Sequence, residues 1–300
     1  TRLTDVTGVQ TCALPIFFLF AATVAAQPAV EDLLWSRFER RMSDYAHEVD
    51  GAFGYAAIDL LTGRMASING DTAFAQASAI KIPVLVTLFR DAGQGRLKLD
   101  DRVTLTARDA VGGSGGLQDK LKSASQSLTL RELALLMIRD SDNTATNVLI
   151  ARVGMERVNA LMSEIGFKAT RLRRVMMDTP AALRGEENSS SPVEMARLAA
   201  MIYRGELAGS AEIVSILKTV KAAVREAVPA RVEVASKPGG IPGVNTETAI
   251  VYLEGRPFVF AAAGAALAEG AANPVLRAAT IAFEHFERLA RVNAYGHRVR

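Results

Sequence analysis

Residues 232–264 read VEVASKPGGIPGVNTETAIVYLEGRPFVFAAAG. Three runs in this stretch are rich in β-branched, aromatic and small apolar residues: VEVAS at 232–236, ETAIVYL at 247–253 and PFVFAAAG at 257–264. Runs of that kind, joined by links bearing glycine and proline, predict three strands with tight connections, Glu254-Gly255-Arg256 forming one hairpin turn. Asn273 then precedes Pro274 as a helix cap and first helical residue, and Phe283, Phe286 and Leu289 continue the helix.

The other end of the chain answers this pattern. Residues 30–49 carry Leu33, Leu34, Phe38, Met42, Tyr45 and Val49 at helical spacing. GAFGYAAIDLLTGRMASING at 51–70 reads as two strands around a Thr62-Gly63 turn. Between the two ends the periodicity is helical, over 79–91 and about 129–139, 143–152, 155–165, 192–204 and 210–219. GGSGG at 112–116 reads as a flexible loop, and 167–191, lacking an apolar period, as a long surface loop. The expected fold class is α+β: an antiparallel sheet built from both chain ends with flanking helices, plus an inserted all-helical region. Residues 27–300 would form a single bilobal domain. Its α/β part takes about 27–75 and 221–300, its helical part about 76–220, and the site lies in the cleft between them.

The 300 residues are 49% hydrophobic and 22% charged, an ordinary globular composition. Thirty-five basic against 32 acidic residues leave a net charge of +3 with no basic stripe, which argues against nucleic acid as a partner. The clusters Arg171, Arg173, Arg174 and Arg288, Arg291, Arg298, Arg300 read as solvated surface. The single cysteine is Cys12, so the mature domain would hold no disulfide. His47, His285 and His297 have no metal-site spacing, and His285 reads as a packing residue of the last helix. No cofactor is expected.

Residues 13–26, ALPIFFLFAATVAA, are too short an apolar run to span a bilayer comfortably and end in small residues before Gln27. They read as a signal peptide truncated at its front, because TDVTGVQTCALPI at 4–16 resembles a translated sequencing adapter. On that reading residues 1–26 are artefact plus leader, and the mature protein is secreted or periplasmic, without a stable membrane span and monomeric. A buried N-terminal helix is the competing reading.

Three short motifs carry the chemistry. Ser78-Ala79-Ile80-Lys81 places a hydroxyl and an amine on one helical face. A serine becomes a nucleophile when a neighbour takes its proton, and a lysine does so when burial or nearby cations lower its pKa. Alone, this pattern equally fits a polar cap followed by an exposed lysine. Ser141-Asp142-Asn143 offers a second hydroxyl for proton relay and an amide for a substrate carbonyl, and equally fits a helix N-cap. Lys237-Pro238-Gly239-Gly240 follows a strand-like run. Its lysine could hold an anionic group and its glycines could free a backbone N–H that forms an oxyanion hole with that of Ser78. The plain alternative is a strand-end turn.

Taken together and in this order, the motifs resemble those of the class A β-lactamases and penicillin-binding proteins. The segments GRLKLDDRVTLTARDAVGGSGGLQ, LTLRELALLMIRDSDNTATNVLI and SSSPVEMARLAAMI extend the likeness over roughly 30–290. The resemblance implies that Ser78 is acylated and that Lys81 and Ser141 shuttle protons. It also implies that Asn143 and Lys237 hold substrate, with Gly239 beside them, and that Gly240 completes the oxyanion hole. Two features depart from the family. Pro238 replaces the threonine of K-T-G, and RRVMMDTPAALRGEEN at 173–188 lacks the E-x-x-L-N glutamate. Asp178, Glu186 and Glu187 are the carboxylates nearby, and Asp178 and Glu187 are the candidates for activating water. The expected function is a serine hydrolase acting through an acyl-enzyme on an amide or ester, β-lactams included among the candidates. A penicillin-binding or peptidoglycan-peptide acyl-transfer enzyme with slow deacylation, and a non-catalytic homologue, remain as alternatives. The substrate is a small molecule or peptide.

Overall fold

The computed structural model describes residues 29–299. The leader and adapter readings, and Cys12, lie outside the described residues. Helix α1 (Val30–Glu48) leads into β1 (Ala52–Asp59) and β2 (Met65–Ile68), and then a two-residue β3 (Phe74–Ala75). A 3₁₀ turn over Ala77–Ile80 runs directly into α2 (Lys81–Gly93). The helical body follows: β4 (Arg102–Leu105), α3 (Leu117–Ser123), β5 (Gln126–Thr129), α4 (Leu130–Arg139), α5 (Asn143–Val153), α6 (Met155–Glu164), α7 (Thr179–Leu183), β6 (Ser189–Ser190), α8 (Pro192–Arg204) and α9 (Ser210–Leu217). The chain closes with α10 (Ala223–Ala227), β7 (Glu233–Ile241), β8 (Val244–Tyr252), β9 (Phe258–Ala265) and α11 (Pro274–Arg291).

The sheet order is β2-β1-β9-β8-β7, every neighbour antiparallel, so both chain ends build it as expected. Both faces are covered, which is why β1 and β9 read as unbroken apolar runs rather than alternating ones. Phe53, Tyr55 and Ala57 of β1 and Phe258, Phe260 and Ala262 of β9 join Trp35, Phe38 and Phe286 in a core under α1 and α11. Ala56 and Ile58 of β1 and Val259 and Ala261 of β9 face the other core, shared with the helical body. Gly54 lets the Phe74 ring close on β1, where a methyl group would come within 2.8 Å of it. His285 packs in the first core, stacked on Phe38 at 4.5 Å, and burial lowers its pKa to about 3.

Helix α2 is buried on all sides from Lys81 to Phe89, as an all-round apolar helix must be. Each of Leu85, Leu88 and Phe89 contributes roughly 1.5–3 kcal/mol by leaving water. Pro83 is tolerated because it falls in the first turn, where N–H groups have no intrahelical partner. None of the described helices is long and apolar enough to cross a membrane.

The segment 167–191 corrects the expectation of a surface loop. Phe167, Leu172 and Met176 are buried, α7 interrupts the segment, and β6 pairs with β3. Over 172–176 the backbone belongs to no strand, and three asparagine amides supply its partners. Asn159 Oδ1 accepts the Leu172 N–H at 2.7 Å, and its Nδ2 donates to the Leu172 carbonyl at 2.9 Å. Asn147 does the same for Met176, at 2.8 and 3.1 Å. Asn188 accepts from the N–H groups of Arg173 and Arg174 and donates to the Arg174 carbonyl. Glu194 of α8 fixes the start of the segment, taking the N–H groups of Lys168, Ala169 and Thr170 on its carboxylate.

Candidate active site

Ser78 sits in the 3₁₀ turn before α2, half-buried, behind Ala77, whose φ of +44° is unusual for a residue with a side chain. The turn is held from three sides. Gln76 N–H donates to Asn188 O at 2.8 Å and its side-chain Nε2 to Ser190 O at 3.2 Å. The Thr246 hydroxyl of β8 donates to Gln76 O at 3.0 Å. Gly239 of β7 lies so close that a Cβ there would meet Gln76 O at 2.3 Å and Ala79 N at 2.8 Å. That glycine is a steric requirement of the contact between sheet and turn.

Lys81, Ser141, Asn143 and Lys237 form one hydrogen-bonded cluster. Lys81 Nζ donates to Ser141 O at 2.6 Å and is 3.1 Å from Ser141 Oγ and 3.0 Å from Asn143 Oδ1. Lys237 Nζ reaches the same Ser141 Oγ at 3.1 Å and Pro238 O at 3.1 Å. Ser141 is therefore wedged between two lysines, and its φ of +55° marks a strained turn. Asp142 Oδ1 caps α5 through the Ala145 N–H at 2.9 Å, as the helix-cap reading expects, while Asn143 points into the cluster and also donates to Gly112 O at 3.0 Å. Lys81 is fully buried. Burial, with the Lys237 charge beside it, lowers its pKa to about 6, against a smaller pull from Asp142. Burial lowers Lys237 to about 8, with Glu247 opposing.

Lys237-Pro238-Gly239-Gly240 is not a strand-end turn; β7 runs through it to Ile241. Pro238 pairs in register with Glu247 and has no N–H for the ladder. In an edge strand such a residue turns its nitrogen to the open side, and alternate residues share that orientation, so Gly240 turns its N–H the same way.

A cleft of about 450 Å³ brings Ser78, Asn143 and Gly240 to one surface, with Met176, Met177, Arg174 and Glu187 opposite. A larger groove of about 920 Å³ lies between α1 and α11 and includes none of Ser78, Lys81, Ser141, Asn143 or Lys237. Glu187 lines the cleft and is bound by Arg174 Nη2 at 2.9 and 3.1 Å. Asp178 instead caps α7 through the Ala181 N–H at 3.0 Å and is not among the cleft residues, and Glu186 pairs with Arg184. Arg174 corrects the reading of its cluster as solvated: its side chain is 11% exposed. Arg171 also turns inward, to the carbonyls of Phe167 and Thr170. Sequence reasoning missed Gln76, Thr246 and Arg174, which carry no motif. It also missed Glu247, a carboxyl buried behind β7 that takes the Val224 N–H at 3.2 Å and is pushed up to about 7 by burial. Among the described residues no group of three His, Cys, Asp or Glu could hold a metal ion.

A family model described as the Beta-lactamase enzyme family matches residues 37–286. Beta-lactamase OXY-2 of Klebsiella oxytoca is 26% identical over 251 residues, 81% of this chain and 83% of that one. Beta-lactamase CTX-M-8 of Citrobacter amalonaticus is 27% identical over 215 residues, 69% and 73% of the two chains. Among solved structures, a beta-lactamase from Sphaerobacter thermophilus superposes with a TM-score of 0.76 at 27% identity, covering 85% of this chain and 97% of that one. An ancestral class A beta-lactamase superposes at 0.75 and 25% identity, covering 83% and 100%.

Proposed function

The chain belongs to the beta-lactamase enzyme family and is a serine hydrolase of the class A type, and we propose that Ser78 is its nucleophile. The observation that carries the proposal is the buried Lys81, one helical turn after Ser78, with its pKa lowered to about 6. At neutral pH most of that amine is unprotonated and able to take a proton. In the proposed reaction Ser78 Oγ bonds to the substrate carbonyl carbon while its proton passes to Lys81 Nζ. The N–H groups of Ser78 and Gly240 receive the oxyanion. The carbonyl's bond to its leaving group then breaks, and Ser141, touching both lysines, delivers the proton to that group. Asn143 holds the substrate carbonyl, and the charge of Lys237 keeps the Ser141 hydroxyl oriented. Water then cleaves the acyl–Ser78 ester. We assign the activation of that water to Glu187 rather than Asp178; its presence in the cleft lining, where Asp178 is absent, supports this.

The Arg174–Glu187 pair favours a second reading of the later step, an acyl-enzyme that turns over slowly, because Arg174 Nη2 already occupies both oxygens of that carboxylate. The substrate is an amide or ester, β-lactams included. We read 27–300 as one bilobal unit, acting as a monomer in the periplasm or outside the cell. The test is intact-mass analysis over time after adding a fluorophosphonate. The wild type should gain one adduct, and Ser78→Ala should gain none. An adduct that persists in Ser78→Ala would remove Ser78 from the nucleophile's role.

A further inference from the structure

The walls of the Ser78 cleft are unusual in both polarity and charge. Met177 is 54% exposed and Ile241 38% exposed, and both face this cleft, joined there by Met176 and Pro242. Met177 is held out by a φ of +64°, its carbonyl taking the Thr179 N–H at 2.9 Å. Its sulfur lies 3.1 Å from where a Gly113 Cβ would stand, so the thioether reaches across to the facing loop. A flexible thioether beside a branched side chain and a proline ring is a surface that takes up alkyl or aryl groups.

No free cation accompanies that wall. Arg174 is the one lysine or arginine among the residues lining the cleft, and its guanidinium is bound to Glu187. Lys237 is 1% exposed and is not among the cleft-lining residues; its ammonium donates to Ser141 Oγ and Pro238 O. The neighbouring position, Pro238, has no hydroxyl. The Thr246 hydroxyl on the adjacent strand turns inward to Gln76 O. A carboxylate entering this cleft would lose its hydration and find no free lysine or arginine among the lining residues, only neutral donors such as the hydroxyls of Ser114 and Thr179.

We propose that the cleft selects uncharged esters or amides whose acyl group is apolar and lodges on Met176, Met177, Ile241 and Pro242. The inference rests on Ser78 being the nucleophile. In turnover the acyl carbon passes from the leaving oxygen or nitrogen to Ser78 Oγ, the leaving group departs with a proton, and water releases the carboxylic acid. The acid ionises, and the cleft has no free cation to retain it.

The test compares p-nitrophenyl hexanoate with the mono-p-nitrophenyl ester of adipic acid, equal in chain length but ending in a carboxylate. The hexanoate should have the higher kcat/KM by about tenfold or more. From acetate to butyrate, kcat/KM should rise roughly fourfold per added methylene. Met177→Lys should narrow the hexanoate-to-adipate ratio by about tenfold. An adipate ester turned over as fast as the hexanoate, with turnover lost in Ser78→Ala, would overturn the substrate class and leave Ser78 standing. Neither ester being turned over while a fluorophosphonate labels Ser78 would also overturn the class alone. Hexanoate turnover that survives Ser78→Ala would overturn the nucleophile, and the inference with it.

Discussion

Replacing Gly239 with alanine puts a methyl group where there is no room for one. Its carbon would stand 2.3 Å from Gln76 O, 2.7 Å from Thr246 Oγ1 and 2.8 Å from Ala79 N, and real Cβ contacts essentially never fall below 3.0 Å. Two of the three atoms are backbone, so a side-chain rotation cannot relieve the clash. Either β7 or the turn carrying Ser78 must retreat, opening the tightest contact from 2.3 to at least 3.0 Å. Overpacking of this kind costs about 1–3 kcal/mol, a fall in Tm of about 3–8 °C. The catalytic cost is of similar size, because a displacement near 1 Å at the reacting atom can cost about 100-fold, or about 2.7 kcal/mol. Gly240→Ala is the control, since its methyl group would meet nothing nearer than 3.8 Å. Thermal denaturation and the rate of fluorophosphonate labelling read the two effects. Wild-type values for Gly239→Ala in both assays, or equal losses in Gly240→Ala, would refute the packing argument.

The rate of acylation should climb as pH rises through about 6, where Lys81 loses its proton and becomes able to accept one from Ser78, and should fall above about 8 as Lys237 loses its charge. Stopped-flow labelling across pH 4.5–9.5 checks this, and a rate flat through pH 6 would exclude Lys81 as the base. Glu187→Gln keeps a partner for Arg174 but removes the carboxylate, so acyl-enzyme decay followed by intact mass should slow by about 100-fold; an unchanged decay would move the water-activating role elsewhere. Asn147→Leu strips the Met176 N–H and carbonyl of their partners, at a cost of about 2 kcal/mol and a Tm lower by about 5 °C. A Tm within about 1 °C of wild type would mean that 172–176 does not depend on its amide partners.

The strands of the sheet, its building from both chain ends and most helices were legible because their signals are local; the strand order was not read from the sequence. β-Branched runs with turn residues between them mark β7, β8 and β9, and Asn273-Pro274 marks the start of α11. The segment 167–191 was misread for a physical reason. Its backbone partners are the amides of Asn147, Asn159 and Asn188, so neither an apolar period nor a paired strand betrays its order. The motif residues were legible, but their surroundings were not. That Ser141 touches two lysines depends on a turn with positive φ, and that Gly239 is there for want of space depends on a neighbour 160 positions earlier. Arg174 looked like solvated charge because its partner, Glu187, comes near only when the loop folds back through Asn188.

Everything proposed about the reaction passes through one oxygen atom. Trypsin cutting after Arg64 and Lys81 releases the peptide 65–81, MASINGDTAFAQASAIK, which holds Ser67 and Ser78. Tandem mass spectrometry of that peptide from fluorophosphonate-treated protein should place the whole adduct on Ser78. An adduct on Ser67, on Ser141 in another peptide, or on no serine at all would contradict the account.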